Sequence, residues 1–153
     1  TDRDSEAGLS VKSVLTELNA TDTKTITIEV SRIEVRGIIS QAFFCQANPY
    51  IAITFGDQYV KTPVKWNAKM GAAKWKKTAL TVNIQRSKLS RGRMEVQVND
   101  KERVRRKRML GKVTVNLGGL DLHRIENWFP LRGGEYEGGE VFLSLDISER
   151  DTI

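Results

Sequence analysis

Two segments of this 153-residue chain concentrate its positive charge. Residues 61–77 contain six lysines and no acidic residue, and residues 101–108 contain six basic residues and one glutamate. The two segments together carry +11, whereas the whole chain carries +6, so the remainder is mildly acidic at −5. Concentrated positive charge attracts anionic partners. The segments therefore predict binding to a phospholipid headgroup layer, a nucleic acid or an acidic protein face.

Residue types that support catalysis or metal binding are scarce. His123 is the only histidine and Cys45 the only cysteine, which excludes an internal disulfide, a multi-cysteine zinc site and a conventional Cys–His pair. The chain has no Gly-x-Ser-x-Gly nucleophile elbow and no Walker loop. No apolar run approaches the roughly 20 residues that cross a bilayer, and no leader pattern is visible, so we expect neither a membrane span nor an export signal. We therefore expect a non-enzymatic binding domain without a cofactor.

Alternation of apolar and polar residues, typical of half-buried antiparallel strands, dominates from residue 25 onward. Eight strands are predicted, at residues 26–35, 50–55, 58–66, 76–84, 94–99, 110–117, 128–131 and 141–147. A change of phase within the first strand suggests a β-bulge. The pattern predicts an all-β protein, an eight-stranded antiparallel β-sandwich. Helical spacing occurs only in the N-terminal stretch, so we divide the chain into a short helix or arm at 1–22, a sandwich domain at 23–149 and a tail at 150–153.

Four motifs follow one another along the strand region. They are Asn-Pro-Tyr-Ile at 48–51; Phe-Gly-Asp-Gln at 55–58 with Lys-Thr at 61–62; Val-Gln-Val-Asn-Asp at 96–100 with Leu-Gly at 110–111; and Asn-Trp-Phe-Pro-Leu at 127–131 with Gly-Glu-Val-Phe-Leu at 139–143. In this order and spacing they resemble the C2 domain, the lipid-binding sandwich of protein kinase C and the synaptotagmins. The resemblance implies a Greek-key sandwich with the circularly permuted type II topology.

The resemblance also bears on calcium. Calcium-dependent C2 domains bind their ions with aspartates from two loops, because a hard cation needs several anionic oxygens at about 2.3–2.6 Å. The matching positions here are Ala42 and Asn48 in the first loop and Asp100, Glu102 and Arg108 in the third. Only two of the five are acidic, and a guanidinium replaces one carboxylate. We therefore expect a calcium-independent domain with no bound metal.

The basic third loop is expected to meet anionic lipid directly. Its predicted lipid-binding residues are Lys101, Arg103, Val104, Arg105, Arg106, Lys107 and Arg108, joined by Phe43 and Phe44 of the first loop. Each basic residue near an anionic leaflet contributes about 1 kcal/mol, and salt screens this attraction within roughly 8–10 Å. Val104 and the two phenylalanines could enter the membrane interface. Capping of the core is the alternative for Phe43 and Phe44.

A lysine-rich sheet face is the second candidate site. On the predicted strand 58–66, Tyr59, Lys61 and Lys65 share one face, while Val60 and Trp66 share the other. The resemblance matches this face to the groove that holds a phosphoinositide headgroup in some C2 domains, although Ala52 and Pro63 replace lysines of that groove. The predicted groove consists of Tyr50, Tyr59, Lys61, Lys65, Trp75, Lys77 and Trp128. An ordinary solvated sheet face is the alternative.

These features together predict a calcium-independent C2 module within a larger peripheral membrane or trafficking protein, for example one acting in exocytosis. It would be cytoplasmic and would bind phosphoinositide, phosphatidic acid or phosphatidylserine on a membrane surface. A protein-interaction scaffold, whose basic loop binds an acidic partner, is the alternative. Nucleic-acid binding ranks last because the third loop has no interleaved aromatic residue for base stacking.

Overall fold

The structure, a computed structural model, describes residues 24–38, 47–68, 71–76, 80–101, 107–119, 124–134 and 138–151. These residues form nine β-strands: β1 Lys24–Arg36, β2 Pro49–Phe55, β3 Gln58–Lys61, β4 Ala73–Trp75, β5 Leu80–Gln85, β6 Arg93–Lys101, β7 Lys107–Asn116, β8 Arg124–Pro130 and β9 Glu140–Asp151. Two short 3₁₀ turns cover Arg86–Arg91 and Leu117–Gly119. No helix among the described residues is long and apolar enough to cross a membrane. The predicted N-terminal helix or arm lies outside the described residues.

The strands form two antiparallel sheets, so the predicted all-β sandwich is confirmed. In the first sheet the order is β4-β1-β9-β8, and β5 pairs with the first half of β1. In the second sheet the order is β3-β2-β6-β7. The pairing of β1 with β9 shifts register between Val30 and Arg32, which confirms the predicted bulge. The bulge allows Ile28 before it and Ile33 after it to point into the same core.

The core lies between the inner faces of the two sheets. It is built from every second residue of the long strands, including Ile26 and Ile28 of β1, Ile51 and Ile53 of β2, Val96 and Val98 of β6, and Leu143 and Leu145 of β9, all fully buried. Burial of each such side chain contributes about 1.5–3 kcal/mol. This scaffold sets where the strands end and which described side chains face outward.

Two predicted strands are markedly shorter in the structure, and the bounds of the others differ by at most four residues. The strand predicted at 58–66 ends at Lys61: beyond it the Thr62 N–H still donates to the Ile51 carbonyl, but the Ile51 N–H donates to the Thr62 side-chain hydroxyl, each at 2.9 Å. The strand predicted at 76–84 begins only at Leu80, and β4 is a separate strand that pairs with the end of β1. The described residues therefore contain nine strands rather than eight.

Candidate functional site

One end of the sandwich, which we call the loop end, is held together by Asn48. Its backbone N–H donates to Asp100 Oδ1 at 2.7 Å, and its side-chain Nδ2 donates to the carbonyl of Lys101 at 3.1 Å. Its side-chain Oδ1 accepts from the backbone N–H of Asn67 at 2.7 Å. A single asparagine before β2 thus links the connection between β3 and β4 to the end of β6.

Asn48 and Asp100 are two of the five positions compared above with calcium ligands. Both are buried, and both polar ends of the Asn48 side chain are already hydrogen-bonded, as is Oδ1 of Asp100. Ala42 contributes no side-chain oxygen and Arg108 contributes a cation, whereas Ca²⁺ takes six to eight oxygen ligands. These observations support the expected calcium independence, which stays a prediction. Ala42, Glu102 and the Arg108 side chain lie outside the described residues.

The basic third loop begins and ends at this same end of the sandwich. Residue pairing in the β6–β7 ladder sets Lys101 opposite Lys107 and Asp100 opposite Arg108. Lys101 is exposed, and its Nζ lies 5.9 Å from the ring centroid of Trp66. Like charges directly opposite each other in a ladder are destabilising. Arg103, Val104, Arg105, Arg106, Phe43, Phe44 and the side chains of Lys107 and Arg108 lie outside the described residues.

The outward-facing side of the second sheet brings together part of the predicted groove. The pairing of β2 with β3 places Lys61 opposite Ala52 and Tyr59 opposite Thr54, on the side away from the core. Tyr50 faces the same way but is only 8% exposed, whereas Tyr59 is 53% exposed. Burial raises the pKa of the Tyr50 phenol, and the neighbouring Tyr59 raises it further. Lys65 is exposed just beyond β3.

The structure contradicts the placement of Trp75 and Trp128 in this groove. Trp75 lies on β4 of the first sheet opposite Ile33, is 3% exposed, and donates its indole N–H to the carbonyl of Pro63 at 2.9 Å. Trp128 lies on β8, also in the first sheet, with the Arg36 guanidinium 3.8 Å from its ring centroid. Trp75 was misplaced because alternation assigns a residue to a face of its strand but does not say which sheet the strand joins, and Trp128 was placed only by the family resemblance. Lys77 lies outside the described residues.

The first basic segment is divided between the two sheets in the same way. Lys61 projects from the second sheet, whereas Lys74 projects from β4 in the first sheet and forms an ion pair with Glu34 at 3.3 Å. The segment therefore does not present one continuous basic face.

Three residues missed by the sequence analysis lie on the outer side of the second sheet. In the ladders, Gln97 is opposite Ala52 and Lys112, and Asn99 is opposite Tyr50. Asn99 is completely buried, and neither its amide nitrogen nor its amide oxygen has a hydrogen-bond partner. We call the set Tyr50, Tyr59, Lys61, Gln97, Asn99 and Lys112 the outer face. The sequence contains a pattern that could have identified Gln97 and Asn99 as outward-facing, because they alternate with the apolar residues of β6.

The strand order and the hydrogen-bonded loop end define a two-sheet antiparallel β-sandwich. The model of the C2 domain family matches residues 26–131, and the chain belongs to the C2 domain family. No curated protein sequence matches the chain.

Several solved structures that contain C2 domains are similar to this chain. The first C2 domain of plant Extended Synaptotagmin 1 is 17% identical with a TM-score of 0.66, and the match covers 83% of this chain and 95% of that one. The calcium-bound tandem C2 domains of Extended-Synaptotagmin 2 are 16% identical with a TM-score of 0.66, over 82% of this chain and 46% of that one. Human GIVD cytosolic phospholipase A2 is 18% identical with a TM-score of 0.66, over 83% of this chain but only 16% of the enzyme. At these identities the likeness is one of fold.

Proposed function

We propose that this domain is a non-catalytic, calcium-independent module that attaches a larger protein to an anionic, cytoplasmic membrane surface. The arrangement of residues at the loop end is the main support for this proposal. There, Asn48 and Asp100 use oxygens at calcium-ligand positions to link loops, while the segment 101–108 starts and finishes beside them. Where calcium-dependent relatives bring bound cations to the lipid, this chain brings arginines and lysines.

The charge of the third loop is large enough to support such binding. The segment 101–108 carries six basic residues against one acid. At about 1 kcal/mol for each basic residue near an anionic leaflet, three arginines account for about 3 kcal/mol, on the order of a hundredfold in affinity. This attraction weakens as salt rises.

The outer face supports a second, more selective contact with a phosphoinositide headgroup. Lys61 and Lys112 are exposed cations on this face, and Tyr50 and Tyr59 supply phenol groups. Asn99, which is completely buried, has an amide whose donors and acceptor are unused, and a headgroup contacts it only if the side chains over it move. Buried polar groups are normally hydrogen-bonded, so a headgroup that reached this amide would remove its desolvation penalty.

A vesicle flotation experiment tests the proposal with two matched triple variants. In the first, Arg103, Arg105 and Arg106 of the third loop become alanine. In the second, the exposed Lys88, Arg91 and Arg93 at the opposite end of the sandwich become alanine. Both variants lose the same charge, so only position differs.

The first variant should lose about a hundredfold in affinity for phosphatidylserine vesicles in a calcium chelator, and the second should float like the parent. Equal losses in the two variants would mean that net charge, not the loop end, governs binding. Failure of the parent to float with any anionic vesicle would favour the acidic protein partner instead.

A further inference from the structure

Trp66 is one of only two large apolar side chains that are exposed among the described residues, at 50%, and the other is Tyr59. Alternation along the predicted strand gave Trp66 the same face as Val60. Because β3 ends at Lys61, Trp66 instead occupies the turn between β3 and β4, at the loop end.

The backbone that carries Trp66 is fixed. The next residue, Asn67, has a left-handed φ of 56°, a conformation that asparagine tolerates better than most residues. Its N–H donates to Asn48 Oδ1 at 2.7 Å, and the following Ala68 N–H donates to the carbonyl of Ala47 at 2.8 Å. The half-exposed indole therefore projects from a hydrogen-bonded turn.

The surroundings of Trp66 match the chemistry of a membrane interface. Lys101 Nζ lies 5.9 Å from the ring centroid, within cation–π distance, and Lys65 is exposed one residue before it. The whole segment 61–77 contains no acidic residue. Tryptophan concentrates at the headgroup level of bilayers, where its ring is half apolar and half polar, and lysines beside it pair with lipid phosphates.

We infer that Trp66 is an interfacial anchor: its indole enters the headgroup region of an anionic bilayer while Lys65 and Lys101 contact lipid phosphates. This inference rests on the proposed function and deepens it, because it adds the turn between β3 and β4 to the membrane-contacting surface. An acidic protein surface is the competing occupant. The bilayer is favoured because Lys101, which begins the basic third loop, lies beside the indole, and the loop returns to the same end of the sandwich at Lys107.

The experiment uses tryptophan fluorescence of the whole chain with phosphatidylserine vesicles, with and without bromine-labelled acyl chains. The chain has three tryptophans, of which Trp75 is buried in the core and Trp128 is stacked under Arg36 on the first sheet. We expect the parent and Trp128→Phe to show a blue shift and quenching by the brominated lipid, and Trp66→Phe to show neither. Trp66→Ala should weaken vesicle binding on the order of tenfold, with an unchanged melting temperature. Trp128→Phe, on the first sheet, should bind phosphatidylserine vesicles like the parent.

Three results would overturn the inference, and they are distinguishable. The parent could bind vesicles without a blue shift of its tryptophan fluorescence, or brominated lipid could quench Trp66→Phe as much as the parent. Either result would leave the proposed function intact and remove Trp66 from the interface. Weaker binding of Trp66→Ala to polyglutamate, with unchanged vesicle binding, would assign the indole to an acidic protein partner. If the parent floats with no anionic vesicle, the proposed function and the anchor fail together.

Discussion

Replacement of Asn48 by aspartate restores the residue type found at this position in calcium-dependent relatives, yet we expect it to destabilise the domain. Asn48 Nδ2 donates to the carbonyl of Lys101 at 3.1 Å, and a carboxylate has no hydrogen to donate. The variant would set two oxygens against each other, leave a carbonyl without this donor, and place a second buried negative charge close to Asp100. A buried group that loses its partner costs about 1–3 kcal/mol, and more when charge is involved, so we expect a loss of about 2–3 kcal/mol near neutral pH.

The pH dependence gives this prediction its sharpest test. Burial beside Asp100 should raise the pKa of the new carboxyl above its unfolded value, so its penalty is present above the folded pKa and disappears as pH falls below the unfolded pKa. Once protonated, the carboxyl can again donate to the carbonyl of Lys101. Urea denaturation of parent and variant at about pH 7 and about pH 4 should therefore show a difference that shrinks on acidification.

The control is Asn67→Asp, the same chemical change at an exposed neighbour whose backbone N–H, not its side chain, makes the hydrogen bond to Asn48. Its stability should stay within about 0.5 kcal/mol of the parent. A difference below about 0.5 kcal/mol for Asn48→Asp at neutral pH, or an equal difference at both pH values, would refute the role given to Asn48. Recovery of the lost stability on adding millimolar calcium would show that the residues can form a calcium site after all.

Three further predictions concern the outer face. Asn99→Val should raise the free energy of unfolding by about 1 kcal/mol, because it removes a buried amide without partners, yet it should weaken phosphoinositide binding. Urea denaturation measures the first effect and vesicle flotation the second. A loss of stability would mean that the Asn99 amide has a hydrogen-bond partner after all. Lys61→Glu combined with Lys112→Glu should reduce binding to phosphoinositide more than binding to phosphatidylserine at equal charge density, and equal losses would mean that the face has no pocket. Because the Tyr50 pKa is raised, stability should fall as pH rises above the ordinary tyrosine value of about 10; Tyr50→Phe should flatten this slope in alkaline denaturation curves, and an unchanged slope would mean that another group controls it.

The sandwich could be predicted from the sequence because its long strands alternate regularly. The bulge in β1 was visible as a change of phase, since Val30 and Ile33 both had to reach the core. β4 was missed because three residues give too short a pattern to separate from a neighbouring strand. The structure therefore confirms the predicted fold class but not the predicted number of strands.

The candidate site was less accessible to sequence reasoning because its geometry depends on long-range pairing. Alternation along one strand could not reveal that Trp75 joins the first sheet while Lys61 joins the second. Nor could it reveal that Asn48 hydrogen-bonds to Lys101, which lies 53 residues further along the chain. In the sequence, Asn48 stands out only as an amide at a calcium-ligand position. Its role in linking the loops follows from its hydrogen bonds in the structure. The arginines of the third loop stay a prediction from charge alone.

The most direct test of calcium-independent membrane attachment is a binding titration of the whole chain against phosphatidylserine-containing and purely neutral vesicles, each in a calcium chelator and in millimolar calcium. We predict binding to the anionic vesicles that is equally strong in both conditions, that weakens steadily as salt is raised, and that is absent from neutral vesicles. Binding that occurs only when calcium is added, or that is equal on neutral and anionic vesicles, would contradict the account.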